Sequence, residues 1–330
     1  MTPISATAVS GILAVDKPAG LTSHDVVARV RRMLGVKRVG HAGTLDPMAT
    51  GLLVVLVGSA TRLARFVEAG TKTYDARIVF GTGTDTDDAE GAVTATAEVP
   101  ASLADPAVAL EAVAALVGPL DQVPPVYAAI KIDGRKAYDL ARRGEAPELA
   151  PRPVTIHAAR LLGVDAGPPV TWDVSLDVSR GTYVRAIARD LGLAHGTVAH
   201  LGALRRTAVG SLTLSDAVGL DQILDEGAAA ANARLADPLA AIGLPVFELS
   251  GKQAEAVSHG SALPADGVLG LDDLPEGAQV ALTASGRLLG VYRRRGDLLR
   301  ADVVLAEPLD TRAGATQASA ALQMPAKAPA

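Results

Sequence analysis

Apolar and polar positions along the chain alternate in two distinct rhythms, which predict strands and helices in turn. Gly11 to Val15 is a short apolar run stopped by Lys17-Pro18 and Gly20, and predicts a buried strand. Ser23 follows as a helix N-cap with Asp25 in the first turn. Val26, Val27, Val30, Met33 and Leu34 then share one helical face, and Gly35 ends the helix. Leu52 to Val57 predicts a second buried strand, and Thr61 caps a short helix through Val67. Tyr74, Ala76, Ile78 and Phe80 occupy one side of a half-buried strand. Asp105-Pro106 marks a helix start and Gly118 its end. Val170, Trp172, Val174, Leu176 and Val178 alternate cleanly and lead through Gly181-Thr182-Tyr183 into a helix from Val184 to Leu191.

Helices interleaved with alternating strands predict an α+β fold on a mixed, mainly antiparallel sheet. The pattern weakens in the Ala-rich stretch 226–236. After Pro245 a compact set begins: a strand at 246–249, a helix at 251–258 closed by Gly260, and strands near 268–271, 279–283, 287–293 and 298–305. The expected organisation is a flexible N-terminus (1–10), a main domain (11–243), a small β-rich domain (244–310) and a disordered tail (311–330) of Ala, Thr, Gln and Pro.

A length of 330 residues agrees with about two domains. Aromatics make up 3% of a chain that is 49% hydrophobic, so the core must be built mainly from Ala, Val and Leu. The absence of cysteine excludes disulfides, thiolate nucleophiles and Cys-ligated zinc. No run approaches the roughly 20 apolar residues of a membrane span. Met1 to Ser10 lacks the basic flank and apolar core of a signal peptide, so a soluble, cytoplasmic protein is expected.

The net charge of −5 argues against a polyanionic partner only if the charge is spread evenly, and it is not. Residues 1–80 carry ten Lys/Arg against five acids, and residues 180–206 carry five arginines against Asp190 alone. Screening ends charge interactions beyond about 8–10 Å, so the local excess decides whether phosphates bind.

Candidate chemistry concentrates in Gly40-His41-Ala42-Gly43-Thr44-Leu45-Asp46-Pro47-Met48-Ala49-Thr50-Gly51-Leu52-Leu53, a glycine-punctuated loop holding one carboxylate against an apolar strand. An aspartate before proline is in itself an ordinary turn former. The acidic run Asp85 to Gly91 departs from a calcium loop, because Ala89 replaces the third ligand and Glu90 the glycine.

These fourteen residues resemble the catalytic loop of the TruB-type tRNA pseudouridine-55 synthases, relatives of the dyskerin group. The resemblance extends in order through Asp16-Lys17-Pro18-Ala19-Gly20-Leu21-Thr22-Ser23, Lys72-Thr73-Tyr74, the acidic run, Gly181-Thr182-Tyr183-Val184-Arg185 and Leu204-Arg205-Arg206-Thr207. It implies a pseudouridine synthase fold and an enzyme that detaches a uracil from C1′, turns it and rejoins it through C5. Nothing is oxidised or hydrolysed, so no cofactor and no metal are expected.

By the same resemblance Asp46 is the catalytic carboxylate, Tyr74 stacks on the target base, and Arg185 pairs with Asp46. His41 fills the space left by the flipped nucleotide and, with Lys17, Arg31, Arg32, Tyr183 and Leu204, belongs to the RNA-binding set. Pro18, Gly43, Thr44, Lys72 and Asp88 support the site, Asp88 by bracing the arginine. Attack on C1′, attack on C6 and a glycal route are all compatible with these residues. The expected partner is the T-arm stem-loop of tRNA, with no membrane and no obligatory protein partner; a monomer is expected.

The chain departs from the family at Tyr127-Ala128-Ala129-Ile130-Lys131, which lacks the usual serine hydroxyl. The 244–310 segment resembles a PUA-like RNA-binding module by position and strand pattern alone. It is acidic, with six Lys/Arg against ten Asp/Glu over 245–310, so RNA contact there would fall to Arg293-Arg294-Arg295. Two rival readings remain at this level: a tRNA-folding chaperone, which needs the basic surface but not Asp46, and a hydrolase, for which no second carboxylate is placed.

Overall fold

The computed structural model describes residues 10–127, 149–264 and 274–311, together with the backbone of two short strands within 131–136. The expected flexible ends, the strand near 268–271 and most of the 127–131 motif lie outside the described residues. The chain forms two compact units, one of residues up to Ala236 with Ala240–Gly243, the other of Asp237–Leu239 with Leu244 onward.

The first unit begins β1 (Gly11–Lys17), α1 (Ser23–Leu34), β2 (Val39–Ala42), β3 (Thr50–Val57), a 3-10 segment (Gly58–Leu63), α2 (Ala64–Ala69) and β4 (Lys72–Phe80). A small hairpin of β5 (Thr82–Thr84) and β6 (Val93–Thr96) is followed by α3 (Pro106–Ala114), β7 (Gly118–Gln122), β8 (Lys131–Ile132) and β9 (Arg135–Lys136). Next come β10 (Arg152–Asp165), β11 (Thr171–Val178), α4 (Val184–Ala194), β12 (Ala199–Val209), β13 (Leu212–Thr213), β14 (Val218–Gly219) and α5 (Leu220–Ala233). The main sheet runs β14-β1-β3-β12-β4-β11-β10-β7, with β2 on β3 and β13 on β12. Only β1–β14 and β3–β12 pair in parallel, so the sheet is mixed and mainly antiparallel, as expected.

The predicted periodicities set which faces are buried. Val26, Val27 and Val30 of α1 are buried, each worth roughly 1.5–3 kcal/mol relative to exposure. Ala76, Ile78 and Phe80 of β4 and Trp172, Val174, Leu176 and Val178 of β11 face the same core. Trp172 is fully buried, meets Phe80 edge-on at 4.7 Å, and donates its indole N–H to the Leu103 carbonyl at 2.8 Å.

Several local expectations are corrected. The cap of α1 is Thr22, whose hydroxyl accepts from the Asp25 N–H while Asp25 returns the bond in a capping box. Thr61 lies inside the 3-10 segment and donates to the Gly58 carbonyl, so it caps nothing. Helix α3 ends at Ala114, and Gly118 opens β7 with φ +133°. The weakly patterned 226–236 stretch is largely helical, kinked at Gly227 (φ +81°).

The second unit contains β15 (Val246–Glu248), a helix (Gly251–Ser258), β16 (Leu263–Pro264), β17 (Gln279–Ala284), β18 (Arg287–Arg295) and β19 (Leu298–Asp310). Among the described residues its strands form one sheet in the order β15-β17-β18-β19-β16. No helix among the described residues is long and apolar enough to cross a membrane.

Candidate active site

Gly40 to Leu53 is not one loop. Gly40, His41 and Ala42 belong to β2 and pair with Leu56, Val55 and Val54 of β3, which leaves 43–49 as the connecting turn. The turn is fastened along its length. Leu45 N–H donates to Ser23 Oγ (2.9 Å), and that hydroxyl donates back to the Leu45 carbonyl (3.1 Å). The Pro47 carbonyl accepts from the Gly20 N–H at 2.9 Å and from Lys17 Nζ at 3.2 Å. Arg206 spans both ends, donating from Nε to the Leu52 carbonyl (2.7 Å) and from Nη2 to the Gly43 carbonyl (3.0 Å). Held in this way, the turn projects the Asp46 side chain into a cavity of about 640 Å³.

Arg185 meets Asp46 from the first turn of α4, with Nε 3.1 Å from Oδ2. Its Nη1 stands 3.5 Å from Asp88 Oδ2 and donates to the Thr86 carbonyl (2.9 Å), while Nη2 donates to the Tyr127 carbonyl (3.2 Å). Asp88 is itself fixed by Thr86 Oγ1 at 2.6 Å and by the Glu90 N–H at 3.1 Å. The acidic run is therefore a brace for arginine. Gln122, buried, secures the start of α4 by accepting from the Tyr183 N–H (2.8 Å) and donating to its carbonyl (3.1 Å).

Burial pushes the Asp46 carboxyl above the ordinary carboxylate range; Arg185 opposes this and Asp88 adds to it. The arginine alone does not set the balance. An ionised Asp46 is poorly solvated and held in one pose, a state that favours attack on a carbon centre.

Tyr74, Tyr183, Leu204, Gly43, Thr44 and Lys72 line the same cavity as Asp46 and Arg185. Tyr74 lies across from Leu176 on β11 and Arg206 on β12, with its ring half-buried. Burial raises the Tyr183 phenol, so it stays protonated. Lys72 donates to the Gly70 carbonyl (2.6 Å) and to the Glu68 carbonyl at the end of α2. Burial first, then Arg206, bring its ammonium down to about 8.

Other expected residues lie elsewhere. Lys17 is wholly buried, donating to Pro18 (2.9 Å), Leu21 (2.7 Å) and Pro47, so it holds the turn and is not on a surface that RNA can touch. Pro18 contributes its carbonyl to that network. His41 is half-buried on β2, edge-on to His24 at 5.2 Å, with a buried Nδ1 that has no partner among the described residues. Burial, then His24 and Arg206, lower its pKa and favour the neutral imidazole. Arg31 and Arg32 are exposed on α1, away from the cavity lining, and Arg31 is tied to the Val39 carbonyl at 3.0 Å.

Sequence reasoning missed Ser23, Gln122, Glu68, Arg180 and Arg206 as parts of the site. For Arg206 a signal existed, since β12 alternates and Arg206 falls on the buried side with Leu204. The arginine excess of 180–206 is also not one patch. Arg185 and Arg206 are buried, Arg189 pairs with Asp87 (3.0 Å) and Asp190 (2.9 Å), and Arg205 pairs with Asp16 (2.7 Å).

Two family descriptions match the chain in succession: the TruB family pseudouridylate synthase N-terminal domain over residues 31–184, and the tRNA pseudouridylate synthase B C-terminal domain over 185–248. Curated proteins named tRNA pseudouridine synthase B are close in sequence. That of Paenarthrobacter aurescens (strain TC1) is 44% identical over 303 residues, covering 90% of this chain and 96% of its own. That of Mycolicibacterium paratuberculosis (strain ATCC BAA-968 / K-10) is 45% identical over 299 residues, covering 89% and 97%. Among solved structures, the chain resembles one in the crystal structure of a Cbf5-Nop10-Gar1 complex with a TM-score of 0.70 at 22% identity, over 90% of this chain and 85% of that one. It also resembles one in the archaeal box H/ACA sRNP Nop10-Cbf5 complex with a TM-score of 0.68 at 23% identity, over 93% and 89%. At such identities these two likenesses concern the fold.

Proposed function

The chain belongs to the TruB family of pseudouridylate synthases and is a tRNA pseudouridine synthase, an isomerase; from that premise we propose that it acts at uridine 55 of the T loop, with Asp46 as the nucleophile. The observation that carries the assignment to Asp46 is its pairing with Arg185 at 3.1 Å inside the cavity.

In this reading the target uridine leaves its stack and enters beside Asp46, at an unstacking cost of a few kcal/mol. Tyr74 lies against the uracil face, and Leu204 and Val178 supply apolar wall. The carboxylate assists breakage of the N1–C1′ bond, the detached uracil turns within the enclosed space, and C5 bonds to C1′. The N1–C1′ bonding pair leaves with the uracil, so N1 takes up a proton, and the C5 proton departs last to restore the ring. Bonds and electrons balance without an oxidant or a hydrolytic water. Arg185 orients Asp46 throughout, and Lys17, Ser23 and Arg206 keep the turn from yielding. Arg31, Arg32 and His41 are assigned to RNA contact outside the cavity.

Tritium release from a C5-tritiated T-arm stem-loop tests this directly. Release by the wild type that is lost in Asp46→Asn is expected; release that persists in the variant would move the catalytic role to another residue. The second unit, read as PUA-like, would serve affinity. A chain ending at residue 243 should show a raised KM for whole tRNA with turnover of the stem-loop spared, and an unchanged KM would refute that role.

A further inference from the structure

Arg180 stands apart from the other arginines of its segment. Arg185, Arg189, Arg205 and Arg206 all have their donors committed to carboxylates or carbonyls. Arg180 is exposed, lines the cavity that holds Asp46, and makes no hydrogen bond or ion pair among the described residues. It sits in the turn between β11 and α4, and that turn is stiff. The Ser179 N–H donates to the Thr155 carbonyl (2.8 Å), the Thr155 N–H donates to Ser179 Oγ (2.8 Å), and Thr182 Oγ1 donates to the Ser179 carbonyl (3.0 Å). Gly181, at φ +87°, completes the bend. A free guanidinium thus hangs from a fixed backbone at the cavity.

The charge around it is one-sided. Among the lining residues Arg185 is balanced by Asp46, and by Asp88 behind it. Arg206 and Lys72 are held by backbone carbonyls, which leaves Glu68, among the described residues, as the lining carboxylate facing Arg180, Arg206 and Lys72. The lowered Lys72 ammonium registers this field, with Arg180 among its causes after burial, Arg206 and the opposing Glu68. A uridine offers such a wall nothing in its base or ribose, both neutral. Only its phosphodiesters carry charge, and a guanidinium fork matches their oxygens in bidentate fashion.

We propose that Arg180 is a substrate-gripping residue that binds the phosphodiester adjoining the uridine seated beside Asp46, an inference that rests on the function proposed above. The grip fixes the nucleotide's backbone while the base is freed to turn, so it acts on binding and register more than on bond breaking.

The test uses the full chain and T-arm stem-loops carrying a single neutral methylphosphonate linkage, 5′ or 3′ of the target uridine. Turnover is followed by tritium release, and binding by fluorescence anisotropy, over a series of salt concentrations. Arg180→Ala should raise KM and Kd roughly tenfold, as for loss of one charge-assisted contact, and leave kcat within about twofold. The slope of log binding constant against log salt should become shallower by about 0.7. One of the two methylphosphonates should cost the wild type the same factor and cost Arg180→Ala nothing more, and Arg180→Lys should recover part of the loss. An unchanged KM and salt slope in Arg180→Ala would overturn the proposal, as would methylphosphonates that penalise variant and wild type alike. Should the wild type release no tritium, the proposed reaction fails, while anisotropy still reads whether Arg180 grips the phosphate.

Discussion

Gly51 and Arg206 touch backbone to backbone: a Cβ on Gly51 would stand 2.3 Å from the Arg206 carbonyl oxygen. The two residues are register partners where β3 and β12 run parallel, and Gly51 has φ +98°. This close approach lets the Arg206 side chain reach under the turn to the carbonyls of Gly43 and Leu52.

Gly51→Ala should therefore be severe, costing roughly 3 kcal/mol from steric overlap and backbone strain together. Gly43→Ala serves as a comparison, because the nearest obstacle there is a side-chain atom, Arg206 Nη1 at 3.3 Å, and no backbone, although φ is +83°. Urea denaturation reads both. A midpoint for Gly51→Ala at or above that of Gly43→Ala would contradict the packing.

Ser23→Ala removes both bonds to the Leu45 backbone and leaves a buried N–H without its acceptor. The expected loss is about 1–3 kcal/mol. Turnover should fall as well, since Asp46 is the next residue after Leu45 and small misplacements of a reacting group are costly. Intact turnover with lowered stability would show that Ser23 serves folding alone.

Asp46 makes two opposite predictions for rate and stability. In the proposed role Asp46 acts as the carboxylate, so kcat should rise with pH through a value above the ordinary carboxylate range, and Arg185→Gln should move that rise to still higher pH. Stability goes the other way. A folded-state pKa above the unfolded one means that the native state holds the proton longer, so stability declines as pH climbs from the ordinary value through the raised one. At neutral pH Asp46→Asn should be as stable as wild type or more so. A clear loss of stability in that variant would refute the desolvation argument.

Lys72 shows the complementary behaviour. Its folded-state pKa of about 8 lies below its ordinary 10.5, so the unfolded chain binds the proton more tightly between these values. The contribution of Lys72 to stability should thus rise as pH goes from about 8 towards 10.5. Lys72→Met should flatten this part of the pH–stability curve relative to wild type. Equal slopes in the two proteins would show that the ammonium is solvated.

The sequence by itself determined the features that depend on near neighbours. The five-pair alternation ending at Val178, the apolar face of α1 and the strand containing Tyr74 stand where periodicity placed them, because side-chain direction repeats with the backbone. The Gly-rich segment around Asp46 was legible for a related reason, since its turn chemistry is written in consecutive residues. Tertiary structure decided the partners. Lys17 reads as one cation of a basic N-terminal stretch until Pro47 closes over it, and Ser23 reads as a cap until Leu45 occupies its hydroxyl. Which of five arginines would be buried, paired or left free depended on Asp16, Asp87, Asp88 and the carbonyls of Gly43 and Leu52, all remote in sequence. Desolvation acts in the same way: the shifts at Asp46 and Lys72 arise from the segments that exclude water around them, and a linear chain has no such enclosure to read.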